Sequence, residues 1–259
     1  MHDEVATLPD GRLVKYTSVG FGEPLLLIHG IGSDRRQFVD LASRFGSGVE
    51  AVAYDQRDTG DQIADRCYAM QDLADDAAEL MTALGWSSAH VLGTSFGGAI
   101  AQHLAIWHPE RVRTLVLVST TATQAATLTF AQESTAMTAE ERTVAMLDAA
   151  LSPAVRELHP SIVQTVRAAL VQRPDALHGR RIGALAGHDT TDLLASIQVP
   201  TLVVHGTDDS VIPHEAGRTL AEHIPDAAFW SIEGARHATA FECADELARR
   251  VSQLIFDER

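Results

Sequence analysis

One stretch of this chain, His90-Val91-Leu92-Gly93-Thr94-Ser95-Phe96-Gly97-Gly98-Ala99-Ile100, restricts the possible folds more than any other. An apolar run with strand character stops at Gly-x-Ser-x-Gly, and a run with helix character starts at once. A turn this sharp strains the backbone of its central residue and forces the two arms together, which small residues at Gly93 and Gly97 allow. Ser95 would then sit above a sheet at a helix N-terminus, whose dipole favours developing negative charge. A Gly/Ser turn in an ordinary βα unit would share the pentapeptide, so the surrounding pattern has to decide.

That pattern is an alternation of short apolar runs with longer helix-periodic segments, as in a mostly parallel sheet covered by helices. The expected strands are 12–19, 24–29, 49–55, 90–94, 114–119, 201–205 and 228–232. The interior ones are near-continuously apolar, as strands buried on both faces should be. Leu73, Ala77, Leu80 and Leu84 share a helical face that Gly85 closes, 98–108 forms a second helix before Pro109, and Leu247, Val251, Leu254 and Ile255 mark a last one. Between about 121 and 188 no strand is expected. Helical pieces are expected near 138–151 and 160–170, with Pro153, Pro160, Pro174 and Gly179 as breaks. The organisation expected is a core of 1–121 and 189–259 with a helical cap of 122–188.

A net charge of −15 argues against nucleic-acid binding and against docking to anionic membranes. Lys15 is the only lysine, and Cys67 and Cys243 have no metal-like spacing. Two distant cysteines suit a reducing compartment, no signal peptide is evident, and no apolar run approaches membrane-spanning length. The expectation is a cytoplasmic protein acting on a small molecule, with no metal or cofactor, and with homo-oligomers left open.

A serine hydroxyl is a weak nucleophile and needs a general base oriented by a third group. Two strand ends near the C-terminus can supply them. Thr201-Leu202-Val203-Val204-His205 runs into Gly206-Thr207-Asp208-Asp209, and Phe229-Trp230-Ser231-Ile232 runs into a loop holding His237. Ligand groups belong beyond the carboxyl ends of parallel strands, where Ser95, the acidic pair and His237 all fall. His29 and His205 end strands beside this region and read as local hydrogen-bonding residues. His90, His108, His159, His178, His188, His214 and His223 read as surface residues, and a metal site at His205 and Asp208 lacks a further ligand.

With these motifs in this order the chain resembles the α/β-hydrolase family over nearly its full length. The resemblance implies an α/β-hydrolase fold with the helical cap inserted in it. It implies that Ser95 is the nucleophile, that His237 is the base, and that an acid lies in a Gly-x-x-Asp pattern with a proline four residues on. Gly206, Asp209 and Pro213 match that pattern, so Asp209 is favoured over Asp208. His29-Gly30-Ile31-Gly32 resembles the family's oxyanion loop, which implies Ile31 and Phe96 as backbone N–H donors. At 57–62, where many members carry Arg-Gly-x-Gly-x-Ser, this chain departs with Asp58 and Gln62.

Thr94, Phe96 and Ala238 differ from the residues usual in meta-cleavage C–C hydrolases. The 104–112 segment, the compact length and the 57–60 turn are most similar to the 3-oxoadipate enol-lactonase and small-esterase group, whose cap tryptophans this chain lacks. Phe130, Met137, Met146 and Leu147 suggest an apolar pocket. The function expected is hydrolysis of a carboxylic ester or lactone through an acyl-enzyme. The alternatives are a C–C bond hydrolase of a diketone-like ring-cleavage product and a non-catalytic ligand receptor on the same fold.

Overall fold

The computed structural model describes residues 2–124, 137–170 and 174–257. Its strands are β1 (His2–Thr7), β2 (Leu13–Gly20), β3 (Gly22–Ile28), β4 (Gly48–Tyr54), β5 (Ala89–Thr94), β6 (Val112–Val118), β7 (Thr201–Gly206) and β8 (Ala228–Ile232). They form one sheet in the order β1-β2-β4-β3-β5-β6-β7-β8. The pairs β1/β2 and β2/β4 are antiparallel and every other pair is parallel. Strand order reverses at β3, so the crevice between the carboxyl ends of β3 and β5 is the place a ligand belongs. This is the α/β-hydrolase architecture that the motifs imply.

The principal helices, in chain order, begin with α1 (Met70–Ala83) before β5 and α2 (Phe96–Trp107) after it. Between β6 and β7 the described chain is helical: α3 (Ala139–Ala150), α4 (Pro153–Leu158), α5 (Pro160–Ala169) and α6 (Asp175–Ala186). α7 (His214–His223) follows β7, and α8 (Ala244–Phe256) lies beyond β8.

Side chains two apart on a strand share a face, and that period divides the core into two layers. Leu26, Ile28, Val91, Leu115, Leu117 and Val203 face one layer, covered by α1 and α2. Leu25, Leu27, Leu92, Val116, Val118 and Val204 face the other, which α8 covers through Leu247, Val251 and Ile255. Cutting one such leucine back to alanine costs about 2–5 kcal/mol. Every residue of β5 and β7 is buried, as strands covered on both faces require.

In the helical insertion, Thr138 caps α3 with a reciprocal bond to Glu141, and Ser152 caps α4. Pro153 and Pro160 open α4 and α5, where a missing N–H costs nothing, so they start helices rather than break them. Gly179 lies inside α6, and the expectation of a break there was wrong. The strand β1 is also a departure from expectation. It is an edge strand whose exposed Asp3, Glu4 and Val5 hide its one buried side, at Ala6. Phe130 lies outside the described residues. No helix among them is long and apolar enough to cross a membrane.

Candidate active site

Ser95 sits between β5 and α2 with φ +53° and ψ −120°, a left-handed backbone that a side chain other than glycine's adopts only under constraint. The constraint is visible. Ser95 N–H donates to the Val118 carbonyl (2.9 Å), and the Ser95 carbonyl accepts from Gly98 N–H (2.9 Å) and from Thr120 Oγ1 (2.7 Å). A Cβ at Gly93 would lie 2.3 Å from the Gly97 carbonyl oxygen, and one at Gly97 would lie 2.0 Å from that of Ile28. Both positions exclude any side chain, so the two glycines are what lets strand and helix meet at this angle.

The loops after β7 and β8 bring Asp209 and His237 to the same place. His237 Nδ1 lies 2.8 Å from Asp209 Oδ2, and His237 Nε2 lies 3.1 Å from Ser95 Oγ. An ionised carboxylate only accepts, so Nδ1 carries the proton and Nε2 presents its lone pair to the serine hydroxyl. Asp209 Oδ1 accepts from the N–H groups of Val211 and Ile212, both at 2.9 Å. Burial opposes ionisation of Asp209, but His237 and His205 outweigh it and hold the carboxyl well below its usual range. His205 is fully buried and its Nε2 lies between the Ile212 carbonyl (2.9 Å) and Asp209 Oδ2 (3.2 Å). Asp208 is exposed and accepts from Thr207 Oγ1 instead. Of the two adjacent acids, the structure brings only Asp209 to His237.

The third contributor is the loop after β3. Gly30, Ile31 and Gly32 line a cavity with Ser95 and His237. Phe96 is the first residue of α2, where N–H groups have no acceptor within the helix. Gln37 ties the two arms together: its Oε1 accepts from Gly30 N–H (3.0 Å) and its Nε2 donates to Thr94 Oγ1 (2.7 Å). Gln56 Nε2 donates to the His29 carbonyl (2.9 Å). Neither glutamine stands out in the sequence, because each joins two different elements by a bond that no local pattern reports. Among the described residues, the cavity walls beyond the sheet are Met146, Ala150, Val166, Ala169, Leu170 and Phe241, and its volume is about 90 Å³. Met146 lines it as expected, while Leu147 is buried with Leu151 and Val166 in a small apolar cluster of the insertion.

Two histidines expected on the surface are buried. His90 contacts Thr114 Oγ1 through Nδ1 (2.9 Å), and His188 donates through Nε2 to the Thr121 carbonyl (2.9 Å). His188 Nδ1 in turn faces His103 Nε2 at 3.2 Å. Both are exceptions for the same reason: a polar partner distant in sequence satisfies the buried ring. His159 and His223 are exposed, and His108, His178 and His214 are half-buried.

The family model for the alpha/beta hydrolase fold, Abhydrolase_1, matches residues 23–243. The chain belongs to the α/β-hydrolase family. The 2-hydroxymuconate semialdehyde hydrolase of Pseudomonas putida is 29% identical over 253 residues, covering 91% of this chain and 88% of that protein. The pimeloyl-[acyl-carrier protein] methyl ester esterase of Chromobacterium violaceum is 28% identical over 249 residues, covering 91% and 95%. The crystal structure of the enol-lactonase from Burkholderia xenovorans LB400 matches with a TM-score of 0.87 over 97% of this chain and 99% of that one. At 23% identity that likeness is one of fold. As an α/β-hydrolase with relatives of these kinds, the chain is an enzyme and a hydrolase.

Proposed function

We propose that this α/β-hydrolase cleaves a carboxylic ester or lactone through an acyl-enzyme, with Ser95, His237 and Asp209 as its triad. The observation that carries the reading is the unbroken hydrogen-bonded chain from Asp209 through His237 to Ser95, ending at a strained serine on the floor of an apolar cavity. Ser95 Oγ attacks the carbonyl carbon while His237 Nε2 takes the hydroxyl proton. The tetrahedral oxyanion is received by the N–H groups of Ile31 and Phe96. Its collapse breaks the bond to the leaving oxygen, which departs with the proton that His237 returns. Water then repeats the sequence on the acyl ester, releasing the acid and restoring Ser95. Asp209 holds the ring in the productive tautomer and stabilises the imidazolium, and its depressed pKa keeps it charged for that task.

In the same reading, residues 122–188 form a cap over a core made of 1–121 and 189–259, and the cap selects the substrate. The support is that α3 and α5 supply much of the cavity wall. A cavity of about 90 Å³ is far smaller than the ~300–1,000 Å³ of drug-sized ligand sites. Its lining is mainly apolar, so the reading includes a short, apolar acyl group. The semialdehyde-hydrolase relative supports a second reading, cleavage of a C–C bond by the same three residues.

One experiment separates them. Purified protein is assayed on p-nitrophenyl esters from acetate upward, on simple lactones and on vinylogous diketones. Turnover of the short ester with an initial burst, abolished in Ser95→Ala, is expected. Turnover of the diketones alone would replace the first reading by the second.

A further inference from the structure

Adjacent residues on a helix point about 100° apart, so Arg180 and Arg181 of α6 leave it in different directions. Arg180 is half-buried at the protein's rim and grips Asp58 with two bonds, Nε to Oδ2 (2.8 Å) and a terminal nitrogen to Oδ1 (2.6 Å). Arg181 turns inward and is fully buried. One terminal nitrogen donates to the Arg57 carbonyl (2.8 Å) and to Thr59 Oγ1 (3.2 Å), and the other donates to Gln56 Oε1 (2.7 Å). Its guanidinium carbon lies 4.6 Å from the centre of the Phe96 ring. Asp58 and Thr59 belong to the turn at which this chain departs from the common family pattern, and the two arginines give that departure a use.

A buried guanidinium is costly to desolvate, and a leucine or methionine would fill the space without that cost. What arginine adds is a rigid fork that fixes several partners at once. Two of those partners lead to the oxyanion donors. Phe96 carries one donor on its own backbone. Gln56, whose Oε1 is held by Arg181, uses its Nε2 to hold the His29 carbonyl at the root of the loop that ends in Ile31.

We propose that Arg181 is a positioning residue of the reaction, fixing both oxyanion donors from the cap helix: Phe96 through its ring, and Ile31 through Gln56 and the His29 carbonyl. The proposal rests on the acyl-transfer reading above. Under it the cap does more than shape the pocket, because α6 carries the side chain that aligns the oxyanion donors.

The test uses Arg181→Lys, which keeps the charge but loses the fork, with Arg180→Gln as a control that cuts only the outer ion pair. Rates are taken per site titrated with a fluorophosphonate, so unfolded protein does not count. Removing one oxyanion donor outright costs about 10²–10³ in kcat. Loosening both should cost roughly tenfold or more in Arg181→Lys, with KM within about twofold. The affinity for a trifluoromethyl ketone, which forms the tetrahedral adduct, should weaken by the same factor. Arg180→Gln should lower the melting temperature while leaving kcat per site within about twofold. If Arg181→Lys does not fold, Phe96→Leu carries the test, since it keeps the guanidinium's hydrogen bonds but removes the ring, and the same paired fall is expected. An unchanged kcat and ketone affinity per site in the variant that folds would reduce Arg181 to a structural clamp. A wild-type protein inert to fluorophosphonate and to esters would instead remove the acyl-transfer reading itself.

Discussion

Asp209 and Asp58 are both buried carboxylates on loops that follow parallel strands, β7 and β4, yet their partners differ in kind. Asp209 faces two imidazoles and two backbone N–H groups. Asp58 faces the Arg180 guanidinium, the Tyr68 hydroxyl and the Ala64 N–H. In each, burial works against the charge and the partners overcome it, so each carboxyl titrates below its usual value. An imidazole can give up its proton near neutral pH, whereas a guanidinium keeps its protons throughout. Asp209 thus has partners suited to the proposed passage of a proton, whereas Asp58 has partners suited to holding α6 against the β4 loop.

Substitution of the two acids should expose that difference. Asp209→Asn should leave the protein folded but cost roughly 10³–10⁴ in kcat, because an amide neither enforces the tautomer nor stabilises the imidazolium. Asp208→Asn, one residue away and exposed, should stay within about twofold. A dead Asp208 variant beside an active Asp209 variant would reverse the assignment. Asp58→Asn should do the opposite of Asp209→Asn, leaving kcat within a few-fold while lowering the melting temperature by several degrees near pH 7. Because the folded pKa of Asp58 is depressed, its contribution is complete above the unfolded value of about 3.9 and is lost as pH falls through the folded one. The gap in melting temperature between wild type and Asp58→Asn should therefore close in acid. A gap independent of pH would break the comparison.

A smaller effect is expected from the cavity wall contributed by the insertion. Leu170→Ala should raise kcat/KM for butanoate or hexanoate esters relative to acetate by several-fold, about the discrimination one or two methylenes supply. An unchanged chain-length profile would mean that the insertion does not bound the acyl site.

The smallest effect concerns the junction where the insertion rejoins the core. His103 is pushed down to about 4, by burial first and by the neighbouring His188 second. An unfolded histidine binds its proton near pH 6.5, so the unfolded state carries more protons between about 6.5 and 4. Stability from His103 is then complete above about pH 6.5 and declines as pH falls towards 4. His103→Gln should flatten that decline by a few degrees in melting temperature across the interval. Identical acid profiles would show that His103 is already charged in the folded protein.

The difference between the two regions also explains how much of each was legible in the sequence. Ser95, His237 and the pair Asp208 and Asp209 could be placed together because each stands in the loop after an apolar strand, and the preference for Asp209 within the pair came from the resemblance to the family's Gly-x-x-Asp pattern. The strands themselves were legible because Leu25 through Ile28, or Leu202 through Val204, have one reading when buried on both faces. β1 was not, since an edge strand carrying Asp3 and Glu4 resembles a solvated tail. α6 was not either. Its glycines, Gly179 and Gly183, argue against a helix locally, and what secures it is a set of contacts from Arg180 and Arg181 to a turn more than a hundred residues earlier. Gln37 and Gln56 brace the loop after β3 by bonds that likewise join different elements. Periodicity reports what a residue does for its own element. It is silent on bonds between elements.

Peptide mapping after fluorophosphonate treatment tests most directly the proposal that His237 and Asp209 make Ser95 a nucleophile. A single adduct is expected, on the peptide containing Ser95, forming rapidly in wild type and slower by several orders of magnitude in His237→Ala. An adduct on another serine, no adduct at all, or labelling of Ser95 that proceeds equally fast without His237 would contradict it.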